Sequence, residues 1–148
     1  MGSEMCIRDS GHPVRGTTRD PARIVDIESA GIEAVVADPY RLATLMPQIA
    51  NISAVVWLMG NASGHDVEAL HTTRLQTMLE RLVDTMVRGV VYEAAGTLDA
   101  RLLAEGAQMV RDAGTRWHMP TEVVAQHPQD HEAWVAAMTA AVERLLTA

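Results

Sequence analysis

Five short runs rich in β-branched residues alternate with longer segments of helical period, and no two runs are joined by a hairpin-length turn. The runs are VRGTT (Val14–Thr18), IEAVVA (Ile32–Ala37), AVVWLM (Ala54–Met59), GVVYEA (Gly89–Ala94) and TEVVA (Thr121–Ala125). The middle ones are apolar at consecutive positions, so both faces of each strand need cover. Strands of that kind belong to parallel sheets with helices packed on either side. Antiparallel neighbours need only tight turns, whereas parallel ones need crossovers long enough for a helix. The alternation therefore predicts a single α/β domain with a three-layer architecture.

The intervening segments carry helical stripes: Ile24, Ile27 and Ala30; Leu42, Leu45, Met46 and Ile49; a long stripe from Val67 to Met86; another from Leu102 to Trp117; and a last one from Trp134 to Leu146. Each is read as a helix with one apolar face. Asp20-Pro21 and Asp38-Pro39 read as N-caps followed by proline at the first helical position. Gly31 reads as the glycine that closes the first helix, and Asp130 as the cap of the last.

Composition narrows the function classes. The net charge is −7, which argues against nucleic acid or an anionic membrane as partner, since both select basic patches. The longest apolar run, Ile52–Met59, is strand-sized and far short of the roughly 20 residues of a membrane-spanning helix. MGSEMCIRDS lacks the apolar core of a secretory signal. The one cysteine, Cys6, excludes a disulfide framework and fits a cytoplasmic location. All 12 basic side chains are arginine, and phenylalanine is absent.

GHPVRGTTRDP, GIEAVVADP, AVVWLMGNASG and RGVVYEAAG, in that order and spacing, resemble the atypical or extended short-chain dehydrogenase/reductases, the NAD-dependent epimerase/dehydratase-like proteins with an NAD(P)-binding Rossmann domain. The resemblance runs from Gly11 to about the C-terminus. It implies a Rossmann-like parallel sheet and an NADP or NAD cofactor. In that family a strand, a glycine-rich turn and a helix come first, the turn letting the backbone approach the pyrophosphate. The sequence holds neither GxxGxxG nor GxGxxG, and GHPVRGTTRDP matches the family's second strand. The chain is therefore expected to be a Rossmann-like domain over 11–148 lacking its first βα unit. Loss of a central strand is expected to leave its two neighbours with unpaired edges or to force them together. Residues 1–10, whose EMCIRDS resembles translated adapter sequence, are read as a non-native or disordered leader.

The resemblance also implies a set of cofactor-binding residues. Thr18 and Arg19, just past the family's second strand, fall at the adenosine end. NAD-preferring domains place an acid there, while an arginine accommodates a 2′-phosphate, so the implied cofactor leans to NADP. The alternative for Arg19 is a solvated surface arginine. Asp38 and Pro39 fall where the family contacts adenine, although Asp38 also reads as a helix cap. Leu58, Met59 and Gly60 fall on the loop passing the cofactor's ribose and nicotinamide side.

Catalysis by the family's usual route is not expected. That route uses a Tyr-xxx-Lys pair, the lysine lowering the tyrosine pKa, and this chain has no lysine. Tyr92 sits inside a strand and reads as core, Ala94 and Ala95 occupy the usual hydroxyl neighbourhood, and Thr97 is the nearest hydroxyl. His65, Asp66, Glu68 and His71, and His127, Asp130 and His131, are two groups of metal-capable side chains. Neither has the ligand spacing of a zinc site, so no metal is expected. In the family the two helices matched by Val67–Met86 and Leu102–Trp117 often form a homodimer interface. Three readings stay open: a hydride-transferring or epimerising enzyme acting on a small molecule, a non-catalytic dinucleotide sensor or regulatory module, and a fragment without independent function.

Overall fold

The structure is a computed structural model and describes residues 12–64 and 66–147. The proposed leader, residues 1–10, lies outside them. All five predicted strands form: β1 (Arg15–Thr18), β2 (Glu33–Val36), β3 (Ala54–Trp57), β4 (Gly89–Glu93) and β5 (Thr121–Val124). Every pairing is parallel. They form two sheets, β1 with β2, and β3, β4 and β5 in that order. In register, Thr17 faces Val35, Val56 faces Val91, and Val91 faces Glu122.

β4 is central, and all five of its residues are buried. Pleating sends Val90 and Tyr92 to one face and Val91 to the other. On the first face they join Leu75, Met78, Leu79, Val110 and Trp57 in one core cluster. On the second, Val91 and Val124 pack against Trp134, Met138, Ala141, Val142 and Leu145. The layers covering these faces are α3 (Thr73–Leu82) with α4 (Ala100–Trp117), and α5 (His131–Thr147). This is the expected three-layer α/β fold.

Among the described residues, β1 and β3 are not paired with each other, and each keeps an edge without a strand partner. Val14, just before β1, packs against the same buried cluster as Ala54, Val56 and Leu58, on the α5 side.

Local signals fare unevenly. Asp20 accepts the Ala22 N–H at 3.0 Å and Pro21 follows, as expected, but the pair opens a single 3₁₀ turn (Pro21–Arg23) before α1 (Ile24–Ser29). Ile24, Ile27 and Ala30 are the half-buried positions of this segment, and Gly31 closes it at φ 80°. Asp38-Pro39 does not cap a helix. The Asp38 carboxylate accepts the Tyr40 N–H at 2.9 Å, making a local turn, and α2 (Leu42–Leu45) begins later without a side-chain cap. Pro47 then confines the stripe to a 3₁₀ turn, Met46–Ile49. The stripe from Val67 to Met86 is not one helix either. It is a 3₁₀ turn, Val67–His71, a break at Thr72, and α3, after which Val83 and Met86 are exposed. Asp130 caps α5 through the Ala133 N–H at 3.2 Å. No described helix is long and apolar enough to cross a membrane.

Candidate functional site

The carboxyl ends of β1, β2 and β3 open onto one cleft of about 620 Å³, within the range of small-molecule and cofactor sites. In parallel sheets this end collects ligands, because the strand-to-helix loops gather there where strand order changes. β1 contributes Thr17, Thr18 and Arg19, and Arg23 follows on the 3₁₀ turn. The β2 end brings Pro39 and Tyr40; the β3 end brings Leu58, Met59 and Asn61.

Short-range bonds fix the cationic wall. Thr18 Oγ1 accepts the Asp20 N–H at 3.1 Å while Asp20 caps the next turn, so Arg19 lies between two anchored residues. Its guanidinium carbon stands 5.5 Å from the centroid of the Tyr40 ring. Neither Arg19 nor Arg23 forms an ion pair among the described residues. The Tyr40 hydroxyl is buried and has no hydrogen-bond partner there. Burial raises the Tyr40 pKa; Arg19 opposes this, and Asp66 and Asp38 reinforce it. The phenol is therefore neutral, with a donor and an acceptor to offer.

The floor is tied to the core. Trp57 Nε1 donates to the Leu70 carbonyl at 3.0 Å, and Leu70 lines the cleft. His71 is fully buried, with Nε2 2.8 Å from the Met59 carbonyl oxygen and Nδ1 2.5 Å from the Tyr92 hydroxyl. A carbonyl only accepts, so Nε2 carries the hydrogen and Nδ1 receives the Tyr92 proton. Glu93, 3% exposed, accepts the Gly60 N–H at 2.8 Å and the Trp134 indole N–H at 2.9 Å. The loops after β3 and β4 are joined by the Thr97 N–H donating to Asn61 Oδ1 at 2.7 Å.

Of the residues singled out in the sequence, the fold brings Thr18, Arg19, Pro39, Leu58 and Met59 to this cleft. Asp38 and Gly60 stand beside it without lining it. The Asp38 carboxylate is engaged at the Tyr40 N–H. Gly60 is engaged at Glu93, and a Cβ there would run into the Ala95 carbonyl oxygen. Tyr92 is core, as its place in the strand suggested, and burial raises its pKa well above the ordinary tyrosine range, with Glu93 adding to the rise. Among the described residues no three His, Cys, Asp or Glu side chains gather as metal ligands; His65 lies outside them. Arg23 and Tyr40 were not singled out in the sequence, and His71 was weighed there only as a metal ligand. Arg23 ends the 3₁₀ turn that follows Arg19, and both line the cleft. Nothing local announces His71, whose partner Tyr92 is 21 residues away.

No family model matches the chain, and no curated protein matches it significantly. Solved structures do. The chain is similar to the Citrobacter sp. triphenylmethane reductase complexed with NADP(H), with a TM-score of 0.62 at 15% identity, covering 82% of this chain and 44% of that one. A second structure of that reductase gives a TM-score of 0.60 at 13% identity. A mutant UDP-glucuronic acid 4-epimerase from Bacillus cereus, in complex with UDP-4-deoxy-4-fluoro-glucuronic acid and NAD, gives 0.59 at 13% identity, covering 82% of this chain and 51% of that one. The likeness establishes the fold: a Rossmann-like α/β architecture shared with reductases and epimerases of this type. The chain spans about half the length of these proteins or less.

Proposed function

We propose that the cleft binds an NADP-type dinucleotide by its adenosine end, with the 2′-phosphate at Arg19 and Arg23. The observation that carries this reading is the pair of arginines, free of ion pairs among the described residues, at the carboxyl ends of parallel strands. Guanidinium groups suit phosphate because they donate two parallel hydrogen bonds to it. The buried Tyr40 hydroxyl adds a neutral polar group at the same place. Support also comes from the structural neighbours, which carry NADP(H) or NAD. The residues present fit the adenosine half. For the pyrophosphate, the sequence offers no glycine-rich turn of the family kind.

Bound dinucleotide would supply hydride chemistry, as in a reductase or epimerase acting on a small molecule. This chain's own residues favour a second reading, a binding or sensing module. No lysine is available to hold a tyrosinate, and Tyr92 spends its proton on His71 inside the core. A sensor binds NADPH without consuming it in the presence of carbonyl compounds; an enzyme oxidises it.

Calorimetry with NADPH and NADH tests the binding reading. NADPH is expected to bind about tenfold more tightly, a difference of about 1.4 kcal/mol. Arg19→Ala should cut that preference by weakening NADPH several-fold while leaving NADH within about twofold, Arg23 remaining as the second phosphate donor. Equal affinity for the two dinucleotides in the unmodified protein would overturn the 2′-phosphate assignment.

A further inference from the structure

We propose that His71 is a proton-operated latch on the cleft floor: neutral, it bridges Met59 and Tyr92 and holds the loop after β3 against the 3₁₀ turn Val67–His71; protonated, it loses the Tyr92 bond, the charged ring leaves the core, and loop and turn come free. The inference concerns regulation of the nucleotide site and rests on that reading of the cleft.

The geometry uses both ring nitrogens. Nε2–H is spent on the Met59 carbonyl and the Nδ1 lone pair on the Tyr92 hydroxyl. The latch reaches the cleft directly, because Met59 and Leu70, the residue preceding His71, both line it. A second proton has to sit on Nδ1, where the Tyr92 O–H already points. Tyr92 would then have to accept and turn its own hydrogen elsewhere. The space beyond is closed: the hydroxyl lies against Gly106 of α4, at the position a Cβ would fill.

Among the described residues, no free carboxylate faces His71 to compensate the imidazolium. From β4, the titratable groups are Tyr92 and, next to it, Glu93, which is engaged by the Gly60 and Trp134 N–H groups. The buried side of α4 is Leu103, Gly106, Ala107, Val110 and Ala113, and that of α3 is Leu75, Met78, Leu79 and Leu82; none of these ionises. In the turn itself, Glu68 and the preceding Asp66 are exposed. Burial accordingly pushes the His71 pKa below its ordinary value of 6.5, and the Met59 carbonyl offsets this only in part. The closed floor thus binds fewer protons at His71 than an opened one. Closure is complete above the ordinary imidazole range and is lost as pH falls below it and through the lowered value.

Methyl-¹³C methionine spectra from pH 8 to pH 5, without ligand, read the latch itself. The Met59 resonance, assigned through Met59→Leu, should titrate below pH 6.5, while those of Met78 and Met138, buried elsewhere, stay in place. In His71→Gln the amide can still donate to Met59 and accept from Tyr92 but cannot titrate, so the Met59 shift should be flat. Affinity for adenosine 2′,5′-bisphosphate is then compared between the two proteins. The ligand's own phosphate titrates near pH 6 and affects both alike. The ratio of unmodified to His71→Gln affinity should fall between pH 7.5 and pH 5.5, by at most about tenfold for a single proton. A Met59 resonance of the unmodified protein that ignores pH, or that moves only together with Met78 and Met138, would overturn the latch whether or not His71→Gln folds. A constant affinity ratio would overturn its control of the site. A titrating Met59 in a protein that binds no nucleotide at any pH supports the latch and removes the nucleotide reading instead.

Discussion

Glu93→Ala is expected to destabilise the protein by about 3–5 kcal/mol, because two buried donors lose their acceptor and each unsatisfied group costs about 1–3 kcal/mol. The Gly60 N–H and the Trp134 indole N–H both end on this carboxylate, and neither site opens to water: Gly60 and Trp134 are themselves buried. The truncation also leaves a cavity beneath α5. For a chain of this size the loss should lower the melting midpoint by about 10 °C. Glu93→Gln should cost less, since one amide oxygen still accepts while the NH₂ faces a donor. Thermal and urea melts of the three proteins check the order. A Glu93→Ala protein as stable as the parent would mean the carboxylate does not join β3, β4 and α5 as described.

Gly106→Ala is expected to destabilise by about 1–3 kcal/mol, the usual cost of forcing extra volume into a packed core. The direction is informative. In an exposed helix interior the same change stabilises by up to about 1 kcal/mol through helix propensity. Here the new methyl would meet the Tyr92 hydroxyl and stand 2.7 Å from its Cζ. Tyr92 cannot withdraw easily, being wholly buried and bonded to His71. Adding Tyr92→Phe should return part of the loss by removing the hydroxyl, although the ring carbon remains close. Denaturant melts of the single and double variants measure this coupling. A Gly106→Ala protein more stable than the parent would show that the Tyr92 hydroxyl has room the structure does not give it.

These two sites also mark the boundary of what the sequence discloses. The strands were legible because a parallel sheet covered on both faces demands unbroken apolar runs, and Val90, Val91 and Tyr92 are all fully buried. Ile24, Ile27 and Ala30 were legible because one helix face meets the sheet. The 3₁₀ turn Val67–His71 was hidden inside an apparently continuous helical stripe. There the Trp57 indole claims the Leu70 carbonyl and His71 claims that of Met59, and such tertiary bonds override local periodicity. Asp38-Pro39 repeats the letters of Asp20-Pro21, yet its carboxylate closes on the Tyr40 N–H rather than on a helix. Identical local chemistry supports either outcome, and packing decides.

The site was legible in part for a similar reason. Arg19 could be placed because its position after a strand carries meaning in any dinucleotide-binding sheet. Tyr40 comes beside Arg19 only through the fold. Glu93 and Trp134 lie 41 residues apart, and no local pattern links them.

The proposed ligand of the cleft at the ends of β1, β2 and β3 is a 2′-phosphorylated adenosine. Chemical-shift mapping of the isotope-labelled chain with adenosine 2′,5′-bisphosphate, against 5′-AMP, tests it most directly. Perturbations are expected to centre on Thr18, Arg19, Tyr40 and Met59 and to saturate at lower concentration for the bisphosphate. Perturbations centred instead on the groove lined by Gln76, Met109 and Trp117 between α3 and α4, or equal responses to the two nucleotides, would contradict it.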